Sequence, residues 1–214
     1  MNSRLEKDMA PTSESIKFES SDGFVEYRGA EKLKGKSAII TGGDSGIGRA
    51  VAALYAREGA NVTIVYLPAE EKDAQQTKKL VEEVGQKCLC IPFDLENLKS
   101  IPDLVKKHID EYGALDILVN NASKQVQTEK FEDIEIDQIE SVFRSNILQM
   151  MVLSKAAIPH LTKGSSIINT TSVVAFRGTA TMVDYATTKA AIVGFTRALQ
   201  KNLVSRGIRV NAVA

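Results

Sequence analysis

Short apolar runs alternate with helix-periodic stretches from residue 34 to residue 214, and this alternation limits the fold more than any other feature of the chain. Ser37–Thr41, Asn61–Tyr66, Lys87–Phe93, Leu115–Val119, Ser166–Thr171 and Ile208–Val213 read as strands, apolar and too short to be helices. Between them, Gly46–Glu58, Glu70–Val84, Leu98–Tyr112, Asp137–Leu161 and Val183–Ser205 read as helices. Gly85 closes the second, Pro102 marks the start of the third, and Pro159 interrupts the fourth near its end. Strands joined through helices run parallel, so the expected class is α/β, a doubly wound parallel sheet with helices on both faces. Residues 1–33 are polar, hold Pro11 and several serines and show little periodicity; they read as a flexible arm or a partner-binding strap ahead of a single domain over 34–214.

Composition narrows the partners. The chain has 214 residues, enough for one sizeable core, and a formal net charge of zero. No dense run of Lys and Arg suggests a nucleic-acid footprint, so a small molecule is the expected ligand. The longest apolar runs fall short of a membrane span, and Met1–Ala10 lacks the apolar core of a secretory signal, which gives a cytoplasmic expectation. The two cysteines, Cys88 and Cys90, alternate with Leu89 and point to one strand face, poorly placed to pair and with no nearby histidine to complete a zinc set. They read as buried apolar side chains, and no metal site is expected. His108 and His160 read as surface or helix-end residues.

Two segments carry chemistry. Thr41-Gly42-Gly43-Asp44-Ser45-Gly46-Ile47-Gly48 follows the first strand and opens the first helix. Glycines permit a tight turn and close backbone approach, and a helix N-terminus offers free N–H groups to a pyrophosphate. Further on, Tyr185 and Lys189 stand at i and i+4, which share a helix face. An ammonium beside a phenol favours the phenolate and lowers the tyrosine pKa, as an acid catalyst for carbonyl chemistry requires. Ser172 falls at the carboxyl end of the fifth strand, where α/β folds bind ligands.

In this order and spacing the motifs resemble the short-chain dehydrogenase/reductase family, from about Lys34 to Ala214. The resemblance implies a Rossmann-like sheet of strand order 3-2-1-4-5-6. It places Thr41, Gly42, Asp44, Ser45, Gly46, Ile47 and Gly48 in the dinucleotide turn. Asp94 and Leu95 match the adenine-binding position after the third strand, and Asn121 and Ala122 belong to an Asn-Asn-Ala motif in which Ser123 replaces the usual glycine. Asn146, Ser172, Tyr185 and Lys189 match the catalytic set, with Tyr185 and Lys189 also touching the cofactor. Tyr66 stands where an acid would select NAD, so the expectation is NADP with NAD tolerated and Arg49 as a candidate phosphate partner. Leu33-Lys34-Gly35-Lys36, Val65-Tyr66-Leu67-Pro68 and Gly164–Ser172 are similar to the glucose/ribitol dehydrogenase-like branch, which implies a sugar, polyol or related carbonyl or alcohol substrate. The family pairs helices equivalent to 137–161 and 183–205 across subunits, implying a homodimer or homotetramer.

Family members continue past Ala214 with a Pro-Gly turn, a substrate lid and a seventh strand, so the domain reads as C-terminally truncated. Two functions stay open at this level: an NADP(H)-linked oxidoreductase, or a nucleotide-binding or interaction protein with little turnover because the lid is absent.

Overall fold

The computed structural model describes residues 16–21 and 23–214; the first half of the expected arm lies outside them. Six parallel strands take the order β5-β4-β3-β6-β7-β8, with β3 Ser37–Thr41, β4 Asn61–Tyr66, β5 Cys88–Pro92, β6 Ile117–Asn120, β7 Ser166–Thr170 and β8 Arg209–Val213. Counted from the first of these six, that is the expected 3-2-1-4-5-6. The described residues gather into two compact units that divide between Asp94 and Leu95.

In the first unit, β4 pairs with β3 through Ala38↔Val62 and Ile40↔Ile64, and with β5 through Val62↔Cys88 and Ile64↔Cys90. Every residue of β3 is buried, as a strand covered on both faces requires. Helices α1 Gly46–Arg57 and α2 Glu71–Glu82 pack on these strands. Ahead of them, β1 Lys17–Ser20 and β2 Gly23–Glu26 form an antiparallel hairpin within the segment expected to be an irregular arm. Its pattern escapes a periodicity reading because β2 is exposed throughout and has no buried side to mark. One buried carboxylate ties down the residues just past the hairpin: Glu58 accepts from the Tyr27 hydroxyl, from Ala30 N at 3.1 Å and from Lys32 N at 2.8 Å. Arg57 adds an ion pair of 2.6 Å to Glu26.

In the second unit, β7 lies between β6 and β8, registered through Leu118↔Ile167 and Ile167↔Val210. The helices are α3 Ile101–Tyr112, α4 Ile136–Phe143, α5 Gln149–Ala157, the four-residue α6 Val174–Arg177 and α7 Val183–Leu203. The single helix expected over 137–161 is broken: Arg144–Leu148 is a π-helical turn between α4 and α5. Such turns occur mostly as single insertions, frequently at functional sites. Ile147, Met150 and Ile192 form a buried cluster with Phe143 and Phe195 against it, so these apolar residues serve the chain's own packing. His108 is fully buried rather than at the surface: its ring nitrogen lies 3.0 Å from the Ala114 carbonyl and its ring stands edge-on to Tyr112. Burial holds its pKa down at about 4. No helix among the described residues is long and apolar enough to cross a membrane.

Candidate functional site

The glycine turn lies in the first unit. Gly42 and Gly46 take left-handed backbone angles, φ 62° and 49°, and a Cβ on Gly43 would stand 2.6 Å from the Ile64 side chain, so glycine is required for the turn to lie against β4. Ser45 caps α1 by position but makes no side-chain cap bond, and the first turn of the helix holds no acid. The start of α1 therefore has neither a side-chain cap nor an acid within its first turn. Beyond Gly46 there is open space, and Ile47 is exposed. Thr41 and Asp44 are buried; burial raises the Asp44 carboxyl above its usual range.

At the end of β4, Tyr66 is buried and donates its hydroxyl to Glu71 at 2.7 Å. Burial, and then this bond, push the phenol pKa up. Glu71, the first residue of α2, also accepts from Gln75 at 2.8 Å, so its carboxylate is held by Tyr66 and Gln75. Arg49 is not placed to meet a phosphate. Its guanidinium donates to the Asp44 carbonyl at 2.7 and 3.0 Å and to Thr77 at 3.1 Å, lies 3.9 Å from the Asp73 carboxylate, and the side chain is buried. An arginine at the fourth helical position reads as available in sequence; only the packing of α1 on α2 shows what occupies it. Asp94 is exposed after β5.

Asn146, Ser172, Tyr185 and Lys189 all fall in the second unit. Lys189 is 2% exposed and its ammonium donates to the Thr170 carbonyl at 3.0 Å, 5.4 Å from the centroid of the Tyr185 ring. Burial alone lowers its pKa to about 8. Thr171, one residue on, donates to the Lys189 carbonyl at 2.7 Å, so the end of β7 and the first turns of α7 are stitched together on both sides. Tyr185 and Ser172 are half-buried, and the Ser172 hydroxyl oxygen accepts only a long bond, 3.4 Å, from Val174 N.

Asn146 sits in the π-helical turn, fully buried. Its amide grips the backbone of Lys124, accepting from the N–H at 2.7 Å and donating to the carbonyl at 2.8 Å, and also donates to Thr188 at 3.0 Å. Thr188 in turn donates to the Tyr185 carbonyl at 2.7 Å. Ser123, at the usual glycine position, is accommodated: it is exposed and its hydroxyl reaches Asn146 at 3.3 Å. Asn121 and Ala122 precede it, half-buried.

Several supporting residues have no signal in the sequence. Glu96 accepts from Ser145 at 2.6 Å and Ser141 at 3.0 Å and lies 3.6 Å from the Lys124 ammonium, fixing the loop that Asn146 grips. Asp184, buried, accepts from Tyr185 N at 2.7 Å and from Gln138 at 3.0 Å. Apart from the bond between neighbours Asp184 and Tyr185, these links join residues far apart in the chain, and only the fold brings them together. Among the described residues no group of acids, histidines and cysteines is arranged to hold a metal ion.

The chain is 50% identical over 189 residues to "Uncharacterized oxidoreductase YhdF" of Bacillus subtilis, covering 88% of this chain and 65% of that protein. It is 45% identical over 224 residues to "NADPH-dependent aldehyde reductase 1, chloroplastic" of Arabidopsis thaliana, covering 100% of this chain and 77% of that one. To "Glucose and ribitol dehydrogenase" of Daucus carota it is 43% identical over 196 residues, covering 88% and 66%. A crystal structure of a short chain dehydrogenase from Burkholderia cenocepacia in complex with NADP superposes with a TM-score of 0.81 at 35% identity, over 85% of this chain and 74% of that one. The chain thus spans 65% of the length of its Bacillus YhdF relative. The family model for short chain dehydrogenase matches residues 36–214, and the chain belongs to that family.

Proposed function

We propose that the chain is, or is the nucleotide-binding and catalytic part of, an oxidoreductase acting between NADP(H) and the carbonyl or hydroxyl group of a small substrate. One observation carries this reading: a lysine 2% exposed, its ammonium on the Thr170 carbonyl and facing the Tyr185 ring. Taking an ammonium out of water is costly, so a buried lysine next to a half-exposed phenol is a functional arrangement rather than a packing solution.

The residues present fit a nicotinamide dinucleotide. The uncapped start of α1 and the open space over Gly46 suit a pyrophosphate. Lys189 has donor capacity beyond its bond to Thr170, for a ribose hydroxyl. When bound, the nicotinamide supplies or accepts hydride. Tyr185 gives a proton to the substrate oxygen in reduction and takes it back in oxidation. Ser172 donates to the same oxygen as negative charge develops, and its weak bond to Val174 leaves the hydroxyl free to turn. Asn146 holds the Lys124 loop and, through Thr188, the first turn of α7 that carries Tyr185; a water for proton relay is its further role.

NADP is the preferred cofactor, with NAD tolerated. The Arabidopsis relative named for NADPH and the similar structure in complex with NADP support this choice. Arg49 is engaged inside the first unit and does not favour the 2′-phosphate strongly, so the preference is modest. A sugar, polyol or related ketone or aldehyde is the substrate class, supported by the Daucus and Arabidopsis relatives. A homodimer or homotetramer in the cytoplasm completes the reading.

The test is paired titration and turnover. The wild-type chain is expected to quench or shift NADPH fluorescence and to bind NADH more weakly, and to reduce members of a panel of aldehydes, diketones and aldoses. Tyr185→Phe is expected to keep NADPH binding and lose turnover by about 100-fold or more. A Tyr185→Phe protein with most of its reductase activity would remove the scheme.

A further inference from the structure

We propose that Cys88 and Cys90 form a two-thiol site for a thiophilic ligand that bridges both sulfurs, with a trivalent organoarsenical as its matching probe. Residues two apart on a strand point to the same face, and here that face also carries Val62 and Ile64, the register partners on β4. Both cysteines are free thiols on that face. Two steps along a strand separate the Cα atoms by about 6.4–6.8 Å. That is the upper end of the range of about 4.4–6.8 Å in which a disulfide closes without moving the backbone. A direct S–S bond is therefore disfavoured, whereas one atom inserted between the sulfurs fits the same separation without drawing the strand together.

Access and reactivity divide between the two. Cys88 is buried and Cys90 half-buried, so a reagent arrives at Cys90. The neighbouring Cys88 thiol holds the Cys90 pKa down, assisted by the Lys78 ammonium on α2 and opposed by burial and by Glu71 and Glu82; the Cys90 neighbour and burial push Cys88 up. Cys90 is accordingly the attacking sulfur and Cys88 the second, closing one. With an arylarsenoxide the step balances without an oxidant: two As–S bonds form, the As=O bond breaks, and the oxygen leaves as water with both thiol protons, arsenic staying trivalent.

Because the chain has only two cysteines, intact mass reads the site directly. The 214-residue protein is treated with phenylarsine oxide, washed with excess monothiol and weighed. The expected product carries one phenylarsenic group in place of two thiol hydrogens, survives the monothiol and is stripped by 2,3-dimercaptopropanol. Cys88→Ser, Cys88→Ala and Cys90→Ser should each lower the retained adduct by about 100-fold or more, the scale on which a second, tethered bond raises retention. Folding of each variant is checked by thermal melting, and the Ala variant covers the case in which a buried serine unfolds the strand. Retention of the adduct by any single variant, two separate monothiol-labile adducts, or labelling only after unfolding would overturn the site.

Discussion

Lys189 shows how one residue sets stability against chemistry. Its ammonium is almost fully enclosed, and burial brings its pKa from 10.5 to about 8, so at pH 7 the fold still carries the charge and bears the cost of desolvating it. Lys189→Met removes the charge and keeps most of the volume. It is expected to raise stability at pH 7 by about 1–3 kcal/mol, as replacing buried charges by apolar groups can do, while abolishing the proposed turnover. Urea unfolding of both proteins decides it; a less stable methionine variant would mean that the bond to the Thr170 carbonyl outweighs the cost of burial. The pairing of Tyr185 with Lys189 was legible from spacing alone, because helical i, i+4 geometry is local. Arg49 was not: its acceptors, Asp44, Thr77 and Asp73, belong partly to another helix, and nothing in its own neighbourhood in sequence announces them.

At the scale of elements, strands and helices of the sheet followed from periodicity because their apolar faces are buried, whereas two features depend on contacts made at a distance. The π-helical turn Arg144–Leu148 lies inside an unbroken helical pattern, and what marks it is the burial of Asn146 against the Lys124 backbone. Strand β2 of the hairpin is exposed throughout and therefore has no periodic signal; the segment after it is held by Glu58. Gly29 lies in that segment, and a Cβ there would stand 1.8 Å from the Arg57 carbonyl oxygen, a backbone atom unable to swing aside. Gly29→Ala must lift residues 27–32 away from Glu58 and is expected to cost about 1–3 kcal/mol. The hydrogen-exchange protection of the Ala30 and Lys32 amides should fall with it. Unchanged protection at both amides would show that the segment accommodates the methyl without leaving Glu58.

For the whole molecule, the parallel α/β class follows from β-α alternation, and the order of the six strands from the family resemblance carried by the motifs. Its response to pH could not be read from the sequence, because it depends on which titratable groups the fold encloses. His108 has its pKa lowered to about 4 by burial, below the unfolded value near 6.5, so the unfolded chain binds the proton first as pH falls. The stability associated with neutral His108 is complete above pH 6.5 and is lost progressively between there and pH 4, amounting to about 3 kcal/mol. Lys189 gives the same sign in another window: its proton leaves the folded state near pH 8 and the unfolded state only near 10.5, so stability rises with pH between those values by about 3 kcal/mol. Asp44 and Glu70, raised by burial, bind protons more readily when folded and oppose the acid loss within the carboxylate range. Thermal melts across about pH 5 to 10 are therefore expected to show a falling limb below pH 6.5 and a rising one above pH 8. His108→Phe should flatten the first and Lys189→Met the second, because each removes the buried group whose lowered pKa gives that limb its sign. A limb that persists in its own variant would assign it to a different group.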